Sequence, residues 1–255
     1  MTRAWAMATN TLREAIRDKV LHSILVFAAI LLLFSLALQE VALGDTDKVV
    51  RGAALGGIAF VGAIIAVFLG VGLVWKELEK KTIYTLASKP IPRWEILLGK
   101  YLGLWLTLAV EVAALGGLYV LIIGLQQGLP SVQVAVALGM LMLELTMVCA
   151  WATLFSTFAA PMSAATYTLC VYLIGHFTDD LLRFGQASKD EGFRRLAELL
   201  YAVLPNLEVF NVRAEAVHGV TIPWSEVGWA SAYGVGYTAV VLSVATVVFQ
   251  RRDFA

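Results

Sequence analysis

Charge is what this chain of 255 residues has least of. Only 15% of its residues are Asp, Glu, Lys or Arg, against about 25% in an ordinary soluble domain, while 60% are hydrophobic. Nineteen basic residues balance nineteen acidic ones, so there is no cationic surplus of the kind that draws nucleic acid, and no nucleic-acid partner is expected. The two cysteines, Cys149 and Cys170, both fall inside apolar runs and read as small buried hydrophobes rather than a disulfide or a metal pair. The three histidines, His22, His176 and His218, are scattered, without metal-ligand spacing. No G-x-x-x-x-G-K-[ST] loop is present: the one Gly-Lys pair, Gly99–Lys100, is followed by Tyr101. H-E-x-x-H and G-x-S-x-G are absent too. No catalytic residue, cofactor or metal site is expected, and any ATP chemistry belongs to another chain.

What the chain has instead is long apolar runs. A membrane helix needs about 20 mainly apolar residues to cross a hydrocarbon core of roughly 30 Å. Six stretches qualify: residues 20–38, 53–75, 101–125, 132–158, 162–182 and 227–249. The expected fold is an all-α polytopic membrane protein with six transmembrane helices, forming a single domain over residues 1–255. The first run exceeds the roughly 7–15 residue core of a signal peptide and follows a charged, helix-like prefix, so it reads as a retained span. The fifth is the weakest, starting just after Pro161 and ending in Asp179 and Asp180. A re-entrant segment with five true crossings is the alternative there. With both termini inside, twelve of the nineteen Lys and Arg lie on the inner side, and five of the remaining seven fall in one long loop. The positive-inside rule therefore predicts a multi-pass protein of the inner (cytoplasmic) membrane, N-in and C-in.

Three segments outside the spans have character. In residues 1–19, Trp5, Leu12, Ile16 and Val20 recur at helical spacing beside Arg13, Arg17, Asp18 and Lys19, which suits an interfacial helix on the lipid bilayer. A plain extension of the first span is the alternative. The loop of residues 183–226 is too long for a simple connection. Phe193, Leu196, Leu199, Leu200, Val203 and Leu204 mark one helical face there, with Pro205 ending that helix and 207–218 forming a second short one stopped by Gly219. A small outer helical cap is expected, packed on the outer ends of the spans. Residues 75–100 hold nine of the 38 charged residues, six of them Lys or Arg. Residues 75–87 contain no Gly or Pro, and Glu77 and Lys81 stand at the favourable i,i+4 order. Pro90 and Pro92 then break the helix. A short cytoplasmic helix along the membrane plane is expected within a loop of residues 76–93.

Two carboxylates, Glu111 and Glu144, fall near the middle of spans, where an ionised group costs at least about 2.5–3.5 kcal/mol. No Lys or Arg lies at matching depth. Either both line a substrate or proton path, or each makes structural hydrogen bonds to groups such as Thr107 and Thr146. Met140, Glu144 and Met147 share a helical face, with Cys149 nearby. Such sulfur ligands suit Cu(I), although Met is equally a flexible filler of helix contacts. Glu111, Glu144, Met140 and Met147 are the candidate substrate path.

Taken together, these residues resemble the ABC-2 type permeases, the membrane subunits of ATP-driven transporters. The likeness spans nearly the whole chain. It rests on the first cytoplasmic loop (Glu79, Thr82, Ile83, Leu86, Lys89–Pro90, Arg93, Leu98–Gly99–Lys100), on Leu204–Pro205–Asn206–Leu207 with Phe210–Asn211, and on the closing Arg251–Arg252–Asp253–Phe254. The nearest branch includes permeases linked to maturation of multicopper enzymes, notably nitrous oxide reductase. The resemblance implies two ABC ATPase subunits carrying ATP and Mg, a second permease copy forming a homodimer, and a coupling helix seated in the ATPase. Its contact residues would be Trp75, Lys76, Glu77, Glu79, Lys80, Lys81, Thr82, Lys89 and Arg93. Two other functions fit the residues: a mechanotransmitting subunit acting on a periplasmic partner, and a proton-coupled secondary carrier using Glu111 and Glu144. The absence of clear internal repetition weighs against the carrier.

Overall fold

A computed structural model describes residues 2–17, 22, 25–26, 28–30, 32–34, 45–79, 93–128 and 130–251. The expected first span, 20–38, lies largely outside the described residues. The helices are α1 (Thr2–Ile16), α2 (Thr46–Glu79), α3 (Arg93–Gln127), α4 (Val132–Ser156) and α5 (Pro161–His176). They continue with α6 (Thr178–Ala187), α7 (Glu191–Val203), a 3-10 turn (Glu208–Phe210), α8 (Arg213–His218) and α9 (Trp224–Arg251). No strand occurs among the described residues. Among the described residues, four segments are long and apolar enough to cross a membrane: Thr46–Gly72 of α2, Trp94–Gln126 of α3, α4 and α9, with mean hydropathy between 1.8 and 2.5. The chain is an all-α membrane protein.

Local chemistry sets the helix ends. Asp45 opens α2: its carbonyl accepts from the Lys48 and Val49 amides, and its carboxylate lies 2.6 Å from the Lys48 ammonium. That hydrogen bond holds the Asp45 carboxyl below the usual carboxylate range. Gly128, at φ +82°, follows α3 in the left-handed conformation that suits glycine, and Pro130 then prevents the helix from resuming. Pro161 opens α5 at a position where its missing amide costs nothing.

Contacts between named residues give the helix directions. Gly62 meets Leu145 and Gly70 meets Ala152, so α2 runs parallel to α4. Tyr101 donates to the Thr146 carbonyl and Gly116 meets Leu138, so α3 runs antiparallel to α4. Phe155 packs on Tyr167 and Glu144 meets His176, so α5 is antiparallel as well. Ile222 lies at Gln133 and Gly234 at Leu143, which makes α9 parallel to α4. α4 sits at the centre, with α2, α3, α5 and α9 around it. It has no polar stripe, as a helix buried on all sides should not, and more than half of its residues are buried. The bundle thus has a Val132 end and a Ser156 end.

Four expectations need correction. α2 begins at Thr46 rather than 53 and continues unbroken to Glu79. The separate short helix expected from Trp75 is therefore, as far as Glu79, the last part of α2, because Lys, Leu and Glu are good helix formers and nothing interrupts them. α3 begins at Arg93 rather than 101, so residues 94–100 belong to the helix as well. The expected fifth span, 162–182, breaks at Phe177 (φ −114°, ψ 11°). The expected cap sits on the helix ends only in part: Val217 of α8 lies at Gly52 and Ile222 at Gln133, but residues 204–211 reach the middle of the bundle, where Leu207 and the Pro205 carbonyl lie against Gly175, and Phe210 lies against Gly234.

α1 packs along α3, through Ala8, which is fully buried, and Ala15. Trp5 and Ile16 are left exposed. The approach is close enough that a Cβ on Gly103 would stand 2.5 Å from Thr11 Cβ and 2.6 Å from the Ala8 carbonyl oxygen. Gly103→Val is expected to detach α1 while the rest of the bundle stays folded, since α1 meets the bundle mainly through α3. Limited proteolysis should then cleave the N-terminal helix at least tenfold faster than in the unaltered chain.

Candidate functional site

The middle of the bundle holds the polar side chains. Glu144 is twelve residues from each end of α4, about 18 Å from either end, and only 1% exposed. Opposite it, α5 stops. Its 16 residues span roughly 24 Å, short of a bilayer core of about 30 Å. Its last residue, His176, places Nε2 3.3 Å from Glu144 Oε1. His176 Nδ1 is 3.0 Å from the Tyr172 carbonyl, and the Tyr172 ring meets the imidazole edge-on at 4.6 Å.

From that break the chain forms the α6–α7 hairpin, held by Ala197 against Gly185, and then turns beside the end of α5. The Leu207 amide donates to the Gly175 carbonyl (2.8 Å). Asn206 donates through Nδ2 to Asp179 Oδ1 (3.0 Å) and through its amide to the Tyr233 hydroxyl (2.9 Å). The Tyr237 hydroxyl, thirteen residues into α9, donates to the Val203 carbonyl (2.7 Å). A second chain of bonds runs from Arg213 Nε to Asn211 Oδ1 (2.7 Å) and from Asn211 Nδ2 to Glu208 Oε1 (2.9 Å). Irregular backbone at this depth survives only where protein buries it or a water-filled space meets it. A cavity of about 720 Å³ adjoins it, lined by Met140, Leu204, Asn206, Glu226, Tyr233 and Tyr237 among others.

Glu111 lies near the middle of α3 at 3% exposure, and neither carboxyl oxygen has a hydrogen-bond partner among the described residues. The expected threonine partners are occupied within their own helices: Thr107 donates to the Gly103 carbonyl (2.9 Å) and Thr146 to the Met142 carbonyl (2.6 Å). Glu111 lies instead within electrostatic reach of Cys149. A largely apolar groove of about 680 Å³ runs between α3 and α4 past Trp105, Ala113, Gly116, Gly139 and Met142.

The residues singled out from the sequence separate into two regions. Met140 and Met147 are buried on α4 with Glu144. No group of three or more His, Cys, Asp or Glu able to hold a metal ion occurs among the described residues. Cys149 is buried and Cys170 exposed, both as free thiols, so the expectation of two buried thiols fails at Cys170, which faces outward from α5. At the Ser156 end, Trp75, Lys76, Glu77 and Glu79 belong to the end of α2, and Arg93 is the first residue of α3. Lys80, Lys81, Thr82 and Lys89 lie outside the described residues. Sequence reasoning missed His176 as the partner of Glu144, and it missed the mid-depth cluster of Asp179, Asn206, Glu208, Asn211 and Arg213. The signal was the short fifth apolar run, which ends in His176, Asp179 and Asp180, followed by the turn-rich Leu204–Asn211.

Four spans among the described residues, with a shortened helix and a polar re-entry beside them, admit several transport architectures. Residues 5–254 match the profile described as ABC-2 family transporter protein. The chain belongs to that family. No curated protein matches it. As an ABC-2 protein it is a membrane transport component, and membership implies association with an ABC ATPase partner.

Proposed function

We propose that the chain is the permease subunit of an ATP-binding-cassette transporter, driven by ATP and Mg bound on a separate ATPase. One observation carries this reading. α2 and α3, of 34 and 35 residues, are about 50 Å long and exceed a bilayer core of about 30 Å. Both extend at the Ser156 end, with Lys76, Glu77 and Glu79 on one and Arg93, Glu95 and Lys100 on the other. The charged residues 80–92 join those two ends. Force applied there would reach the middle of the bundle through two stiff helices, one bearing Glu111 and the other packed on α4.

In this reading residues 20–38 supply the first of six crossings, and α5 with the hairpin after it fills the fifth. The Ser156 end faces the cytoplasm, both termini are inside the inner membrane, and two permease copies meet two ATPases. Glu111, Glu144, Met140 and the 720 Å³ cavity border the path of the substrate. Reversing both charges, Lys80→Glu with Lys81→Glu, is expected to reduce co-purification of the ATPase at least tenfold with the permease still folded. Undiminished binding would overturn the coupling assignment.

A further inference from the structure

We infer that Glu144 and His176 form a proton-binding site at the break in α5, beside the re-entering residues 204–213. The geometry counts the proton. A carbonyl oxygen only accepts, so His176 Nδ1, 3.0 Å from the Tyr172 carbonyl, carries hydrogen. Nε2 is therefore the nitrogen that faces Glu144 Oε1 at 3.3 Å. With no proton between them, an imidazole lone pair would face a carboxylate in a site that excludes water. One proton removes that repulsion, whether it resides on the imidazole or on the carboxyl. The pair holds it jointly, as strongly interacting sites do.

Neither atom has a competing partner among the described residues: Glu144 Oε1 and His176 Nε2 are both buried and make no hydrogen bond there, so each has only the other close by. The Glu144 side chain is 2% exposed and that of His176 16%, so His176 is the more accessible member of the pair. Tyr172 on α5 lies in electrostatic reach of Glu144 and Glu208 on the 3-10 turn in reach of His176, while Arg213 on α8 lies in reach of Tyr172. Glu208 and Arg213 are joined through Asn211, a polar route along the re-entering segment. A helix interrupted at mid-depth beside a buried carboxylate is also where ion sites form in other membrane carriers. The site belongs to this chain alone and stands whether or not an ATPase binds it.

The test is a titration of the full chain in lipid nanodiscs with ¹⁵N-labelled histidine, followed by magic-angle-spinning NMR. The His176 signals are identified by their loss in His176→Gln, with His22 and His218 as internal references. Glu144→Gln is expected to displace the His176 midpoint by at least one pH unit, a tenfold change in proton affinity, and to leave His22 and His218 in place. In the unaltered chain, Nε2 should show a through-space contact to the Glu144 carboxyl carbon that changes with pH. A His176 midpoint indifferent to Glu144→Gln would overturn the site. If that variant does not fold, an Nε2–carboxyl contact that is absent or indifferent to pH would overturn it equally.

Discussion

Gly70→Val is expected to prevent the bundle from assembling. A Cβ on Gly70 would lie 2.4 Å from Ala152 Cβ and 3.1 Å from the Cys149 carbonyl oxygen, so the obstacle is short side chain and backbone of α4, with no flexible group able to swing away. Even one added methylene in a tight core costs about 1–3 kcal/mol, and a branched side chain against backbone belongs at or above the top of that range. α2 makes one of the most extensive helix contacts in the protein, along α4, so the loss is not local. Gly56→Val is the control, because a Cβ there meets nothing within 4 Å. Size-exclusion chromatography in detergent should show the Gly70 variant aggregated and the Gly56 variant monodisperse, with an unfolding midpoint near that of the unaltered chain.

The second large effect separates stability from function. Glu111→Leu is expected to keep the fold, or make it more stable, while transport or its ATP turnover falls at least tenfold. A buried polar group without a hydrogen bond costs about 1–3 kcal/mol by mutational measures, and both Glu111 oxygens are unpartnered among the described residues. Leucine fills a similar volume without that cost. The proposed substrate path would account for a carboxyl at the centre of α3 at such expense, on one of the two helices that lead to residues 80–92. Full turnover in a stable Glu111→Leu variant would make the carboxyl dispensable.

These predictions draw unequally on sequence and structure. The all-helical membrane class followed from composition, because runs of about 20 apolar residues have few other uses. Glu111 and Glu144 stood out for the same reason: an ionisable residue in an apolar run is expensive wherever its helix lies. His176 did not, because nothing local distinguishes a histidine at a span terminus from one facing a carboxylate on another helix. That relation depends on α5 stopping opposite the midpoint of α4, a matter of tertiary packing. The re-entering segment was misplaced for a related reason. The amphipathic pattern of α7 says that one face is apolar, but not whether that face lies above the spans or beside them. The expected helix from Trp75 erred differently: a change from apolar to charged residues marks a change of surroundings, and the backbone of α2 continues through it to Glu79.

The central claim is that this chain converts ATP hydrolysis on another subunit into movement of its own helices. ATP turnover by the partner ATPase in lipid nanodiscs, measured with and without the chain, tests it most directly. Turnover should rise several-fold when the chain is present and return to the level of the isolated ATPase when Lys80 and Lys81 are reversed to Glu. An ATPase that binds the chain yet hydrolyses ATP at the same rate with it, without it and with the reversed loop would contradict the account.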